Sequence, residues 1–328
     1  MAWVYVLPLA GYLVLIFILL ALIYPQLKIA ARSNQKSQFF LLIAALSLLS
    51  TWTYMTRYFV WSYQNSGAQS VPLWLKDTSL FKEAWMLVLD GREQWWISQQ
   101  LCYFTVAPFT LFLCSETQRR KIPNVWVYML LGQMVAISFA QGLFLAVVAS
   151  TPIREKDPKR PSTSWALLVQ SLCIGSALGF VYTTPTSIPD SFLRNLLVMH
   201  LLVFPVLLLT PHVTFLLEDL RLFNYVAAFF LAIQHLRRTG DIAKWQGWRA
   251  RLASFELLSL WKQEWNVSQS HPALQSISWD VMMTTAGFLI YICMDNKIGL
   301  KTKAAFVVVT FLTSIPVTAS VYLALSLV

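Results

Sequence analysis

Five carboxyl side chains lie where long apolar runs begin or end: Asp280, Glu93, Asp90, Glu218 and Asp219. A carboxylate next to hydrocarbon is costly, so it tends to face a cavity or a partner. A carboxyl enclosed by apolar groups can keep its proton and deliver it as a general acid. Asp280 leads the set. On a helix each residue advances about 100°, so Asp280, Thr284, Gly287 and Tyr291 fall within about 40° of one stripe. That stripe offers an acid, a hydroxyl, a gap and a phenol. The competing reading places Asp280 in the first turn of a helix, where it stabilises the dipole.

A second stripe, Glu93, Trp96, Gln100 and Tyr103, opens another apolar run. Acid, aromatic ring and amide suit a reaction that creates positive charge, because aromatic faces stabilise cations by roughly 0.5–2 kcal/mol each. An interfacial aromatic belt explains Trp95 and Trp96 equally well, though not Gln99 and Gln100. Gln133 and Gln141 share one half of a further run and suit substrate contact or interhelical hydrogen bonding. Tyr54 and Arg57 lie on a stripe with Ser50 and Trp61; Arg57 can pair with a site carboxylate or snorkel to the surface. Glu218 and Asp219 can share a proton, or simply cap a solvated helix end.

Several chemistries lack their residues. The chain has no GxxxxGK[ST], GxGxxG or HExxH motif and no aspartate-rich diphosphate motif. The four histidines, His200, His212, His235 and His271, are far apart in sequence, and Cys102, Cys114, Cys173 and Cys293 form no CxxC pair. The expectation is acid–base chemistry with no metal and no cofactor. Composition adds the setting: 57% hydrophobic residues and only 12% charged, about half the charge of a soluble domain. Mean hydropathy is +0.58. The net charge of +10 comes largely from loop lysines and arginines that meet headgroups, not from a nucleic-acid groove.

The elements that position these groups are predicted as an all-α, polytopic transmembrane bundle. A crossing helix needs about 20 apolar residues. Eight stretches qualify: 4–24, 39–63, 95–114, 125–149, 165–182, 192–217, 277–294 and 304–327. Residues 4–24 read as a retained first span, because no basic leader region precedes them. Segments 66–93 and 222–271 are expected as interfacial, the first an amphipathic helix on the surface or over a cavity mouth, with Phe81, Trp85, Val88 and Leu89 at helical spacing. Within the second, Leu222–His235 reads as a short interfacial or re-entrant helix, with a ninth span as the alternative. Lys28, Arg32 and Lys36 in the first loop and Arg119, Arg120 and Lys121 in the third suit a cytoplasmic face with a lumenal N-terminus. Arg154, Lys156, Lys159 and Arg160 break that alternation. Asn266-Val267-Ser268 fits a glycosylation acceptor if its loop is lumenal.

Several short words carry a resemblance: Thr51-Trp52-Thr53-Tyr54-Met55, Trp95-Trp96-Ile97-Ser98-Gln99-Gln100, the run Gly132–Gln141, His271-Pro272-Ala273 and Ser278-Trp279-Asp280. From about Ser50 onward the chain resembles the fungal membrane-bound terpene cyclases of the ascofuranone, ascochlorin and macrophorin pathways. The resemblance implies protonation of a terminal epoxide or alkene on a farnesyl chain attached to an aromatic or quinone-like polyketide. The cation is then trapped by neighbouring double bonds or a hydroxyl, and a proton is lost. The partners so implied are a lipophilic prenylated substrate, membrane lipids and enzymes of the same pathway, in the endoplasmic reticulum membrane. It brings no catalytic assignment, so the site residues above stand on position and chemistry alone. Competing classes are an exporter of a lipophilic metabolite, argued against by the lack of a visible repeat, and a receptor-like membrane protein.

Overall fold

The computed structural model describes residues 2–89, 91–154, 164–184, 189–213, 217–245, 262 and 265–326. It is 87% helical with no strand among the described residues. After a 3₁₀ turn at Ala2–Val6 come α1 (Leu7–Ala31), α2 (Gln35–Asn65), α3 (Val71–Asp77), α4 (Leu80–Leu89), α5 (Arg92–Phe104) and α6 (Thr110–Arg120). Then follow α7 (Val125–Met134), α8 (Ile137–Ser150), α9 (Ser164–Thr183), α10 (Pro189–Leu201), α11 (Val203–Leu209) and α12 (Leu217–Trp245). Last come α13 (Pro272–Met294), α14 (Leu300–Leu312) and α15 (Ile315–Ser326). Among the described residues, six runs are long and apolar enough to cross a membrane: Val4–Ala31, Gln35–Asn65, Arg92–Arg120, Trp165–Thr183, Ser191–Leu209 and Pro272–Met294. The protein is an all-α polytopic bundle of the integral membrane class.

Local signals set the boundaries. The Asn34 side chain accepts from the Ser37 amide at 2.9 Å and starts α2, as expected of an N-cap. His271 caps α13 in the same way, its Nδ1 accepting from the Ala273 amide at 3.2 Å. Gly91 takes φ +115° between α4 and α5, a region that strongly favours glycine. The run Arg92–Arg120 is continuous only through a π-helical turn at Thr105–Phe109, where Pro108 supplies no N–H. Thr110 restores a link by donating to the Thr105 carbonyl at 2.7 Å. In lipid every such backbone group must be satisfied inside the protein.

Two of the eight predicted spans fold differently. The stretch 125–149 does not cross. It is a helical hairpin, α7 in and α8 back, with its tip at Val135–Ala136. Tyr128 packs on Phe144 with ring centroids 5.1 Å apart, and a Cβ on Gly132 would lie 3.3 Å from that of Ala140. Beyond the open ends the Arg154 amide donates to the Arg119 carbonyl at 2.9 Å. The stretch 304–327 behaves alike as α14 and α15. Thr310 donates to Thr318 at 2.8 Å, and Phe306 meets Tyr322 at 6.0 Å. Hydropathy cannot tell one 25-residue span from two antiparallel halves, because both are apolar throughout.

The hairpins explain the loop charges. Asn34 donates to the Ala149 carbonyl at 2.9 Å, and Lys36 donates to the Met294 carbonyl at 3.2 Å. Gln118 donates to the Val213 carbonyl at 3.1 Å. Together these bonds gather Lys28, Arg32, Lys36, Arg119, Arg120, Lys121, Arg154, Lys297, Lys301 and Lys303 at one end of the bundle. Arg154 therefore agrees with the first and third loops; residues 155–163 lie outside the described set. Leu222–His235 is not a short separate helix. It belongs to α12, whose 29 residues span about 43 Å from the basic end to the far end, where Arg237 meets Tyr182. Arg237 accordingly sits opposite Lys28 and Arg32. Of the expected interfacial segment 222–271, residues 246–261, 263 and 264 lie outside the described set.

At the far end α3 and α4 replace the single amphipathic helix predicted over 66–93. Tyr58 of α2 donates to the Leu80 carbonyl at 3.1 Å, and the Trp74 indole donates to Ser62 at 3.1 Å. Tyr58, Trp74, Leu80, Ala84, Val88, Ala273 and Leu274 form a small separate core there. The main core packs α2 against α8 and α13. A Cβ on Gly142 would lie 2.9 Å from Ala44 Cα, so the approach of α8 to α2 needs glycine at that position.

Candidate functional site

Asp280 sits one third of the way along α13, buried to 6% exposure. Its partner is the tip of the α7–α8 hairpin. Oδ2 accepts from the Ile137 amide at 3.0 Å. Oδ1 accepts from the Ser138 amide at 2.8 Å and from Ser138 Oγ at 2.5 Å. Ser138 Oγ is in turn hydrogen-bonded to Ser47 of α2. Residues 137 and 138 begin α8, so the carboxyl group occupies a helix N-terminus inside the membrane. The orphan amides there need an acceptor, and a negative charge is favoured beside them. The expected place in the first turn of its own helix is corrected: Asp280 is the ninth residue of α13 and instead accepts from the first amides of α8.

The same carboxyl lines a cavity of about 420 Å³, within the range of small-molecule sites. Tyr12, Trp52, Phe59, Phe81 and Trp85 supply aromatic wall. Thr51, Ser98, Cys102, Thr105, Gln133, His200 and Ser276 supply its polar positions. Phe81, Ala84, Trp85, Val88 and Leu89 show that α4 presents one whole face to it. Asp280 lies 14 residues before Met294 and Tyr12 lies 16 before Lys28. These offsets set the cavity about 21–24 Å from the basic end, beyond the midplane of a core roughly 30 Å thick.

Of the described catalytic and substrate-binding candidates, Asp280 and Gln133 line this cavity and the others do not. Gln133 donates to the His200 carbonyl at 3.1 Å. Thr284 and Gly287 pack between α2 and α8: Gln141 donates to the Thr284 carbonyl at 3.3 Å, and Gly287 approaches Ile43. Tyr291 belongs to an aromatic cluster with Phe112, Phe288 and Tyr322. The predicted stripe therefore exists as a helix face, but packing fills it beyond Asp280. Tyr54 stacks on Trp279, and the exposed Arg57 lies 5.1 Å over the Tyr54 ring. Trp96 meets His235 at 5.9 Å. Gln100 and Tyr103 face a separate void of about 10 Å³ with Gln99, His235 and Ser314, at the tip of the second hairpin. Glu93 is half-buried in the first turn of α5, and Glu218 and Asp219 occupy the first turn of α12 near the basic end. Asp90 lies outside the described residues.

The residues missed by sequence share a cause. Trp52 and Ser98 are ordinary membrane-helix residues that only the fold brings to the cavity, whereas Phe81 and Trp85, read as part of an amphipathic helix on the surface or over a cavity mouth, do line it. His200 was read as isolated because no other histidine is near in sequence. No group of three or more His, Cys, Asp or Glu side chains able to hold a metal occurs among the described residues.

Residues 39–150 match the sequence model of DUF2834, described as a protein family of unknown function. No curated protein matches the chain, and no solved structure does. The matched region covers most of α2, then α3 to α6 and the whole first hairpin. It includes the wall that receives Asp280 but neither Asp280 nor His200. Outside the spans one titration has a clear direction. Burial against Trp61, 4.5 Å away, holds the His271 imidazole below its ordinary value.

Proposed function

We propose that this chain is a membrane-bound terpene cyclase acting on a farnesylated aromatic or quinone-like core. The observation that carries the reading is Asp280, a buried carboxyl on the wall of an aromatic-lined cavity within a membrane bundle. The chemistry begins when the carboxyl proton passes to a terminal epoxide oxygen or alkene carbon. The three donors at Ile137 and Ser138 then stabilise the charge left on the carboxylate, as fixed dipoles do for developing anions. Tyr12, Trp52, Phe59, Phe81 and Trp85 offer aromatic faces to the cation, worth roughly 0.5–2 kcal/mol each. The product is an isomer of the substrate, and no nucleotide is consumed.

A second line of support comes from where the resembling words lie. Thr51, Trp52 and Met55, then Ser98, then Gly132 to Ile137, then Ala273 and Asp280 all line the cavity, though they come from four separate stretches. The substrate class partitions into membrane, in keeping with a site enclosed by spans. The proposed location is the endoplasmic reticulum membrane, in a fungal meroterpenoid pathway.

The two hairpins also favour a transporter, since broken helices with buried N-termini form the ion sites of many carriers. Two features weigh against it. Asp280 already occupies the N-terminus of α8. Both hairpins open toward the same end, unlike repeats inverted across the membrane. The deciding experiment incubates detergent-purified protein with 2-farnesylhydroquinone and with its terminal epoxide, without nucleotide or membrane potential. A ring-closed isomer supports the cyclase; unchanged probe, with uptake only in sealed vesicles, supports the carrier.

A further inference from the structure

An isomerisation that begins by accepting a proton must end by losing one, and Asp280 accounts only for the beginning. The same cavity holds one side chain suited to the end. His200 lies near the end of α10, and its Nδ1 is 2.6 Å from the Leu196 carbonyl. A carbonyl can only accept, so Nδ1 carries the ring hydrogen. In the neutral ring Nε2 is then left with a free lone pair. His200 lines the cavity. Its own carbonyl accepts from Gln133 at 3.1 Å, four residues before the amide that binds Asp280. One hairpin tip thus holds the acid and the backbone of the residue that carries the imidazole. Apart from Asp280, the other polar walls, Thr51, Ser98, Cys102, Thr105, Ser276 and Gln133, are hydroxyls, a neutral thiol and an amide, far weaker bases than imidazole.

Resting on the cyclase reading, we propose that His200 Nε2 is the base that ends the reaction. Asp280 gives its proton to the terminal epoxide oxygen or alkene carbon. With an epoxide the C–O bond breaks and its electrons stay on oxygen. Successive π bonds close the rings. The electrons of a C–H bond beside the last cation become the new double bond, and that proton goes to Nε2. The imidazolium then returns a proton through solvent to the Asp280 carboxylate, so atoms and charge balance over the cycle. A base placed at the cation also suppresses capture by water.

The test uses the full-length protein in detergent, with 2-farnesylhydroquinone epoxide as probe and mass-resolved chromatography of all products. His200→Phe keeps a ring and removes the base. His200→Gln keeps a donor for the Leu196 carbonyl and guards against a folding defect. Both variants are expected to consume probe while the ratio of the wild-type isomer to water-quenched products falls about tenfold or more, within the usual scale of acid–base contributions. A folded variant giving the wild-type isomer in wild-type proportion overturns the assignment. A wild-type protein that leaves every probe unchanged overturns the cyclase reading and the base together. These two failures are therefore distinguishable.

Discussion

Replacing Asp280 by Asn tests the buried cap, and its cost follows from the geometry. The carboxyl group accepts three hydrogens, two at Oδ1 and one at Oδ2. In Asp280→Asn the amide oxygen keeps the two Ser138 donors, and the amide NH₂ turns toward the Ile137 N–H, which stands 3.0 Å away in the native protein. Donor then faces donor. Asp280 rests protonated as the acid, so no charge is lost, and the cost is that of an unpaired buried donor, about 1–3 kcal/mol. The variant should be less stable by about 1–3 kcal/mol, read as a lower thermal midpoint in a single detergent. Ser138→Ala removes only the hydroxyl donor. Because both changes act on one network, the double variant should lose less than the sum of the singles. A midpoint for Asp280→Asn within about 1 °C of wild type, well under the shift such a loss implies, would refute the cap.

Gly142→Ala should lower stability by about 1–3 kcal/mol, because the new Cβ meets Ala44 backbone that cannot yield. Adding Ala44→Gly should restore only part of that loss, since the Ala44 Cα and N contacts remain; full recovery would contradict the packing. The hairpin predicts that cysteines placed at Lys121 and Arg154 react with an impermeant maleimide from the same membrane face. A cysteine at Asn65 should react from the other face; labelling of positions 121 and 154 from opposite faces would restore a crossing span. Burial depresses the His271 titration, so the unfolded chain takes up the proton first as pH falls below about 6.5. Stability should therefore be fully present above that value and decline below it, because protonated Nδ1 can no longer accept from Ala273. His271→Asn keeps a cap without titrating and should flatten that decline in thermal midpoints measured across the window.

The apolar runs made the helical membrane class legible, since composition alone forbids a soluble core of this size. Asp280 stood out because an acid beside hydrocarbon needs a partner, yet its partner lies in α8, over 140 residues away in sequence. The first hairpin was not legible, because its turn at Val135–Ala136 carries no glycine or proline to mark it; Ser314 and Pro316 did mark the start of α15 in the second. For the first, the charge of Arg154 was the one sequence signal that a span had been miscounted. Stripes built on Gln100, Tyr103 and Tyr291 failed for another reason. Helical periodicity tells which residues share a face, but not whether that face meets a cavity or a neighbour. The cavity itself needed Trp52, Trp85 and His200, whose convergence is tertiary.

The most direct test of the central claim compares wild-type and Asp280→Asn protein, each purified in detergent and held below its own melting transition. Both receive 2-farnesylhydroquinone and its terminal epoxide, without nucleotide. The wild type should yield a ring-closed isomer of unchanged mass, and folded Asp280→Asn should be slower by about 10² or more. Equal turnover by the two, or no conversion of either probe by the wild type, would contradict the assignment of Asp280 as the acid of a terpene cyclase.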